Sequence, residues 1–174
     1  MASPDSSAAR GRRYPVSMND PAPHPRAKAL IGWRLLSLLY DFFPMLGIWF
    51  VVVVASLILH RGAAILPGTF ASALEFIALL AVTGLYATAS WRRGGQTIGM
   101  KPWRAYVTAP DGSRAPLGRL WLRYAAGIVS LACAGLGFWW AWLDRDGLTW
   151  HDRLSRTRFI RDFKRDALEA ARQG

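Results

Sequence analysis

Acidic residues are scarce in this 174-residue chain: 11 Asp and Glu stand against 22 Lys and Arg, for a formal charge of +11. Cysteine is almost absent. The single Cys133 excludes a disulfide within the chain and a cysteine-based metal site, and reads as a buried small hydrophobe. The three histidines, His24, His60 and His151, are scattered and none falls at metal-ligand spacing. There is no Walker loop, dinucleotide fingerprint or nucleophile motif, so neither an enzyme nor a bound cofactor is expected. No internal repeat occurs. The basic excess comes without a nucleic-acid recognition motif, so no nucleic-acid partner is expected. Residues 1–28, rich in Ser, Pro, Ala and Arg, lack the apolar core of a signal peptide and read as a disordered basic tail.

What the chain has is apolar length. Hydrophobic residues make up 52%, with nine Trp, and they gather in three blocks, about 30–59, 70–91 and 120–143. Runs of about 18 or more apolar residues read as membrane spans. The expected class is an all-α integral membrane protein: two full transmembrane helices and a third apolar segment that is either a span or re-entrant. Its partner is the lipid bilayer. The expected divisions are the tail 1–28, a membrane domain 29–161 and a polar tail 162–174 that contains a surface helix over 162–172.

The first block carries two charges before its uncharged run 42–59. Arg34 and Asp41 are close to two helical turns apart, so they share a face, separated by about 10 Å along the axis. A charge near the bilayer costs roughly 2.5–3.5 kcal/mol on insertion scales and usually has a partner or a role. Pro44 cannot donate to the carbonyl of Tyr40, which frees an oxygen beside Asp41, and Ser37 is close by. These oxygens suit a hard cation or a proton. The alternative is a structural ion pair, in which Arg34 meets Asp152 instead. In the second block, Glu75 lies near the helix start, where it snorkels to water or lines an entry path. Gly84 and Thr88 form a small-xxx-small pair suited to close helix contact.

Charge sets the expected topology. Arg61 is the basic residue of the loop between the first two blocks, whereas the N-terminal tail, the 92–119 loop and the tail after Asp144 are rich in Arg and Lys. The positive-inside rule places all three on the cytoplasmic side. A single crossing by the third block would send the last of them outside. A bend near Gly135 and Gly137 would keep it inside. Residues 101–108, followed by Pro110-Asp111-Gly112, read as a strand and a turn, which allows a small cytoplasmic β-hairpin to which 157–160 could add a strand.

Four stretches together resemble the RDD family, named for an arginine and two aspartates. They are Arg34 with Asp41, Gly95-Gln96-Thr97-Ile98-Gly99-Met100-Lys101, Leu117-Gly118-Arg119 with Arg123-Tyr124, and His151-Asp152-Arg153-Leu154-Ser155-Arg156-Thr157. The second family aspartate corresponds to Asp152, with Asp144 as a rival. Arg156 stands where related sequences tend to have a small residue. The resemblance implies a bacterial cell membrane and a transport role, including cation/proton exchange.

Two classes of function follow. One is transport of a small ion or solute by Arg34, Asp41 and Asp152, with a homo-oligomer or a membrane protein partner completing the path. The other is a non-catalytic membrane scaffold or accessory subunit in which the same residues hold the fold. The glycines of 95–101 read as a tight turn, with a phosphate cradle as the alternative. His151-Asp152 reads as a capped turn rather than a catalytic pair. Trp139, Trp140, Trp142 and Trp150 read as an interfacial belt.

Overall fold

The computed structural model describes residues 30–161. The expected basic tail and the expected helix over 162–172 lie outside the described residues. Helix α1, Ile31–Leu59, has 29 residues and is about 43 Å long at about 1.5 Å per residue. That exceeds the roughly 30 Å hydrocarbon core of a bilayer, so its first turns have room to carry charge. It runs through Pro44 without ending. Its buried residues are Ile31, Arg34, Ser37 and Asp41, a single stripe confined to the first third. Beyond Asp41 large apolar side chains such as Phe43, Phe50 and Ile58 are exposed, as lipid contact requires.

Helix α2, Phe70–Gly94, opens on Thr69, whose hydroxyl accepts from the Ser72 amide at 3.2 Å, and closes on Gly95 in the left-handed conformation at φ 73°. Both α1 and α2 are long and apolar enough to cross a membrane. They meet through Trp49, whose indole donates to Thr83 at 2.8 Å. Gly84 permits the close approach of the next helix: a Cβ there would lie 2.5 Å from the Trp121 ring and 2.7 Å from that of Tyr124.

The third apolar block splits. Helix α3, Leu117–Ala132, and helix α4, Leu136–Leu143, are separated by a turn of 98°. Ala134 at φ 53° and Gly135 at φ 77° make it, and two left-handed residues in succession end any α-helix. Gly137 then packs on Ser130, leaving no room for a larger residue. Cys133 caps α3 at this corner and is exposed, contrary to the burial expected of it, because a helix break faces outward. A short helix α5, Trp150–Ser155, returns the chain along α3.

Two four-residue strands close the fold. Strand β1, Ala105–Thr108, pairs antiparallel with β2, Arg158–Arg161, in the register Ala105 with Arg161 and Thr108 with Arg158. The sheet is therefore not a hairpin within 92–119. Pro110-Asp111-Gly112 turns the chain towards α3, and the partner strand comes from after α5, as the expected addition of 157–160 foreshadowed. Leu30, Met100, Val107, Leu120 and Phe159 form a core beneath the sheet, with Trp33, Trp91 and Trp103 packed against it.

This pairing fixes the connectivity. β1 follows α2 and precedes α3, so joining it to β2 brings both ends of the α3–α4–α5 segment to one end of the bundle. The first turn of α1 is at that end as well, since Arg34 touches α5. The two ends of the third segment thus meet at the sheet, its bent helix pair being a broken span or a re-entrant loop, and the 60–69 loop lies at the other end of the bundle.

Arg156 ends α5 at φ 49°, a left-handed position, which explains why a small residue suits it. A side chain there costs about 1–2 kcal/mol. The exposed Arg156 replaced by glycine should raise stability by about 1 kcal/mol, and thermal unfolding of Arg156→Gly in detergent checks this.

Candidate functional site

The charged residues form two clusters about two turns of α1 apart. In the first, Asp152 accepts from two arginines. Arg34 Nη2 lies 2.5 Å from Oδ2 and Arg123 Nη1 2.5 Å from Oδ1. All three are buried, Asp152 to 1% exposure and each arginine to 5%. Asp152 is also the third residue of a capping box: its Oδ2 accepts from the Thr149 amide and its own amide donates to Thr149 Oγ1, both at 3.3 Å. One carboxylate thus starts α5, docks α5 on α3, and docks both on α1. Arg34 Nη1 donates to Thr149 Oγ1 at 3.2 Å, and Arg123 Nη1 to Thr157 Oγ1 at 2.7 Å. Aromatic faces cover the guanidiniums, Phe159 at 4.6 Å from Arg34 and Trp91 at 5.6 Å from Arg123, a weakly hydrated ion's favoured neighbours. The rival Asp144 pairs with Arg153 at 2.5 Å on the surface side and takes no part in this cluster.

His151 completes the first cluster. Its Nε2 is 3.4 Å from Arg34 Nη1. Burial and then the charge of Arg123 push its imidazolium down to about pKa 3, so the ring is neutral. Arginine can only donate, so Nε2 accepts and the ring proton sits on Nδ1, a buried atom without a partner among the described residues. Burial pushes Asp152 the other way, but Arg34 and Arg123 outweigh it and hold its carboxyl well below the usual range.

The second cluster surrounds Asp41, which is 6% exposed. Gly99 N–H donates to Oδ1 at 2.8 Å, Tyr86 OH donates to the same oxygen at 2.8 Å, and Thr97 OH donates to Oδ2. Tyr86 in turn accepts from the Ile98 amide at 3.1 Å. The loop after α2 therefore folds back as a cradle for the protein's own carboxylate. Its second glycine is required by contact: a Cβ on Gly99 would lie 2.5 Å from the Asp41 amide nitrogen, with the Ser37 carbonyl closer still. Three neutral donors hold the carboxylate, and no cation lies within salt-bridge distance of it among the described residues.

Between the clusters, α1 and α3 stand apart with α2 behind them, leaving a cavity of about 460 Å³. Arg34, Asp41, Arg123 and His151 are in its wall, whereas Asp152 is not. Ser37 also lines it, donating to the Trp33 carbonyl at 2.8 Å. The structure does not bring the other three expected residues to the site. Tyr40 is exposed and packs edge-on to Trp103 at 5.4 Å, Pro44 is half-buried within α1, and half-buried Glu75 lies near the start of α2 at the far end. Sequence reasoning missed Arg123, Tyr86, Thr97, Gly99, Thr149 and Thr157 as partners. Arg123 carried the same signal as Arg34, a charge on the face of an apolar block. Tyr86 and Thr97 carried none beyond being polar near a buried acid.

A family model described as RDD family matches residues 28–156. No curated protein and no solved structure matches the chain.

Two outcomes follow from this geometry. Gly99→Ala forces backbone apart at Asp41 and should lower stability by about 1–3 kcal/mol, the overpacking range, in thermal unfolding of the purified protein. The second concerns acid. An unfolded His151 takes up a proton near pH 6.5 while the folded one does not until about 3, so below pH 6.5 the unfolded state binds more protons. His151 then removes up to about 1.4 kcal/mol per pH unit as pH falls. Asp152 adds its loss only below its unfolded value of 3.8. Unfolding temperatures measured from pH 7 to 4.5 should fall, and fall less steeply in His151→Gln.

Proposed function

The chain belongs to the RDD family, and on that premise we propose that this integral membrane protein binds and transports a small ion or solute through its intramembrane cavity. The observation that carries the reading is the cavity itself. Two membrane-length helices, α1 and α2, line it together with α3, and two arginines and an aspartate reach its wall. The roles divide accordingly. Asp41 is the carboxylate available to cargo, because it faces the cavity and two of its three neutral donors, Tyr86 and Thr97, are hydroxyls that can reorient. Asp152 is the internal counter-ion of Arg34 and Arg123, so it serves the fold rather than the path. Sodium–proton exchange or a similar process fits a carboxylate of this kind, and no chemical step on the cargo is part of the proposal.

The setting is a bacterial cell membrane with the sheet end cytoplasmic. Support comes from charge. Arg92, Arg93, Lys101, Arg104, Arg114 and Arg119 run from the last turn of α2 to the first turn of α3, Arg10, Arg12, Arg13, Arg26 and Lys28 precede α1, and the loop at the other end has Arg61 as its Lys or Arg. The positive-inside rule then sets the orientation. The cavity is open between α1 and α3, so a second copy or another membrane protein closes the path.

A second reading has its own observation. Asp41 accepts three hydrogen bonds and Asp152 is met on both oxygens, which is what a non-catalytic scaffold or accessory subunit needs to pin three helices together.

Flux separates the two. Liposomes holding the purified protein should pass Na⁺, K⁺ or H⁺ down an imposed gradient, and Asp41→Asn at matched incorporation should fall to background. Equal flux in both proteins, or none in either with the protein folded, favours the scaffold.

A further inference from the structure

The cavity has a shape and a polarity that narrow its occupant. On α1 its wall runs from Arg34 to Trp49, about 22 Å of helix, and on α3 from Arg123 to Ala132, about 13 Å. It is long rather than round. Away from the sheet end its wall is Leu38, Met45, Leu80, Ile128 and Leu131. Its volume falls within the roughly 300–1,000 Å³ of small-molecule sites.

Charge is unbalanced at the sheet end. Arg34 and Arg123 share one carboxylate, and His151 beside them is neutral, so the first cluster holds one net positive charge. Asp41 is about two turns further along α1, held by donors of its own. Arg123 uses Nη1 for both Asp152 and Thr157, and among the described residues its Nε and Nη2 enter no hydrogen bond. His151 Nδ1 is a further donor without a partner among the described residues, on a residue that is 5% exposed and in the cavity wall. A buried donor without a partner, as His151 Nδ1 is, is expensive, and an anion in the cavity would satisfy it while pairing with Arg123.

We infer that the cavity is a binding site for a single-chain anionic amphiphile of the membrane, a carboxylate or phosphate head on one acyl chain. The head meets Arg123 and His151 at the sheet end, and the chain lies along the apolar wall between α1 and α3. This goes beyond the transport reading: it uses the same cavity but places a second occupant at its sheet end, about two turns of α1 from Asp41. The occupant comes from the bilayer, because the gap between α1 and α3 is flanked by lipid-facing helix surface.

Gly127 provides the steric test. It lines the cavity, and a Cβ built on it meets nothing within 4 Å, so the cavity can be filled from this position without a backbone clash. The full chain in an uncharged detergent is titrated with oleate and, separately, with methyl oleate and oleylamine, and its unfolding temperature is followed. Oleate should stabilise saturably, and methyl oleate and oleylamine should bind about tenfold more weakly or worse, as loss of a charge-assisted hydrogen bond implies. Gly127→Phe should lose the effect of oleate and Gly127→Ala should keep it. Should Gly127→Phe not fold, brominated oleate supplies the second measurement. Its quenching of tryptophan emission, from Trp49 and Trp91 in the cavity wall, should saturate and be reversed by excess oleate. Equal effects of oleate and methyl oleate overturn the proposal. So does an unchanged oleate effect in folded Gly127→Phe, or a shift by inorganic phosphate as large as that by oleate. Cation flux that needs Asp41 without any oleate effect would keep the transport reading and overturn this one. Oleate binding without flux would do the reverse.

Discussion

A single carboxylate between two guanidiniums organises this protein. Asp152 is inaccessible to solvent, so its charge is tolerable only because Arg34 and Arg123 both reach it, and they are tolerable for the same reason. Removing one member of such a buried set typically costs about 3–5 kcal/mol, since it strands the others. The three residues come from α1, α3 and α5; α3 and α5 pack closely on each other, whereas α1 has little other contact with either. The ion cluster therefore determines how α1 meets the α3–α5 pair. In a bilayer this matters more than in water, because lipid offers apolar surfaces no reason to prefer one another over acyl chains.

The second carboxylate solves the same problem differently. Asp41 has no arginine. A backbone amide and two hydroxyls take its place, and all three belong to α2 or to the loop that leaves it. The contrast between the two aspartates lies in what surrounds them: two cations hold Asp152, and neutral donors hold Asp41.

Much of this was legible before any coordinates. The apolar runs gave α1 and α2 to within a few residues, Gly135 marked the break in the third block, and the capped turn at His151-Asp152 followed from residue type. Arg34 meeting Asp152 was one of the two readings left open. The remainder was not legible for identifiable reasons. Short strands carry little pattern, so β1 could not announce that its partner lay beyond α5. Thr97 and Gly99 sit in a loop, where no periodicity relates them to a face of α1. Tyr86 lies in an apolar helix that would bury or expose a tyrosine equally well. Arg123 was visible as a charge in the third block, but its partner depends on how the chain returns after the corner, which is set by contacts remote in sequence.

The return of the third segment to the sheet has a consequence for biogenesis. Asp152 lies late in the chain and Arg34 early, so a nascent protein threading into the membrane holds Arg34, and then Arg123, without their counter-charge until α5 has been made. For that period α1 and the α3–α4 corner cannot be locked together, and β1 waits as an open edge for β2. The contacts of α1 with α2 and the 95–99 loop use residues made earlier, so what waits for α5 is the placement of α1 against α3. A ribosome that stalls before Asp152 leaves a polypeptide with two uncompensated cations at the membrane surface, which is the kind of defect that membrane quality-control proteases can recognise.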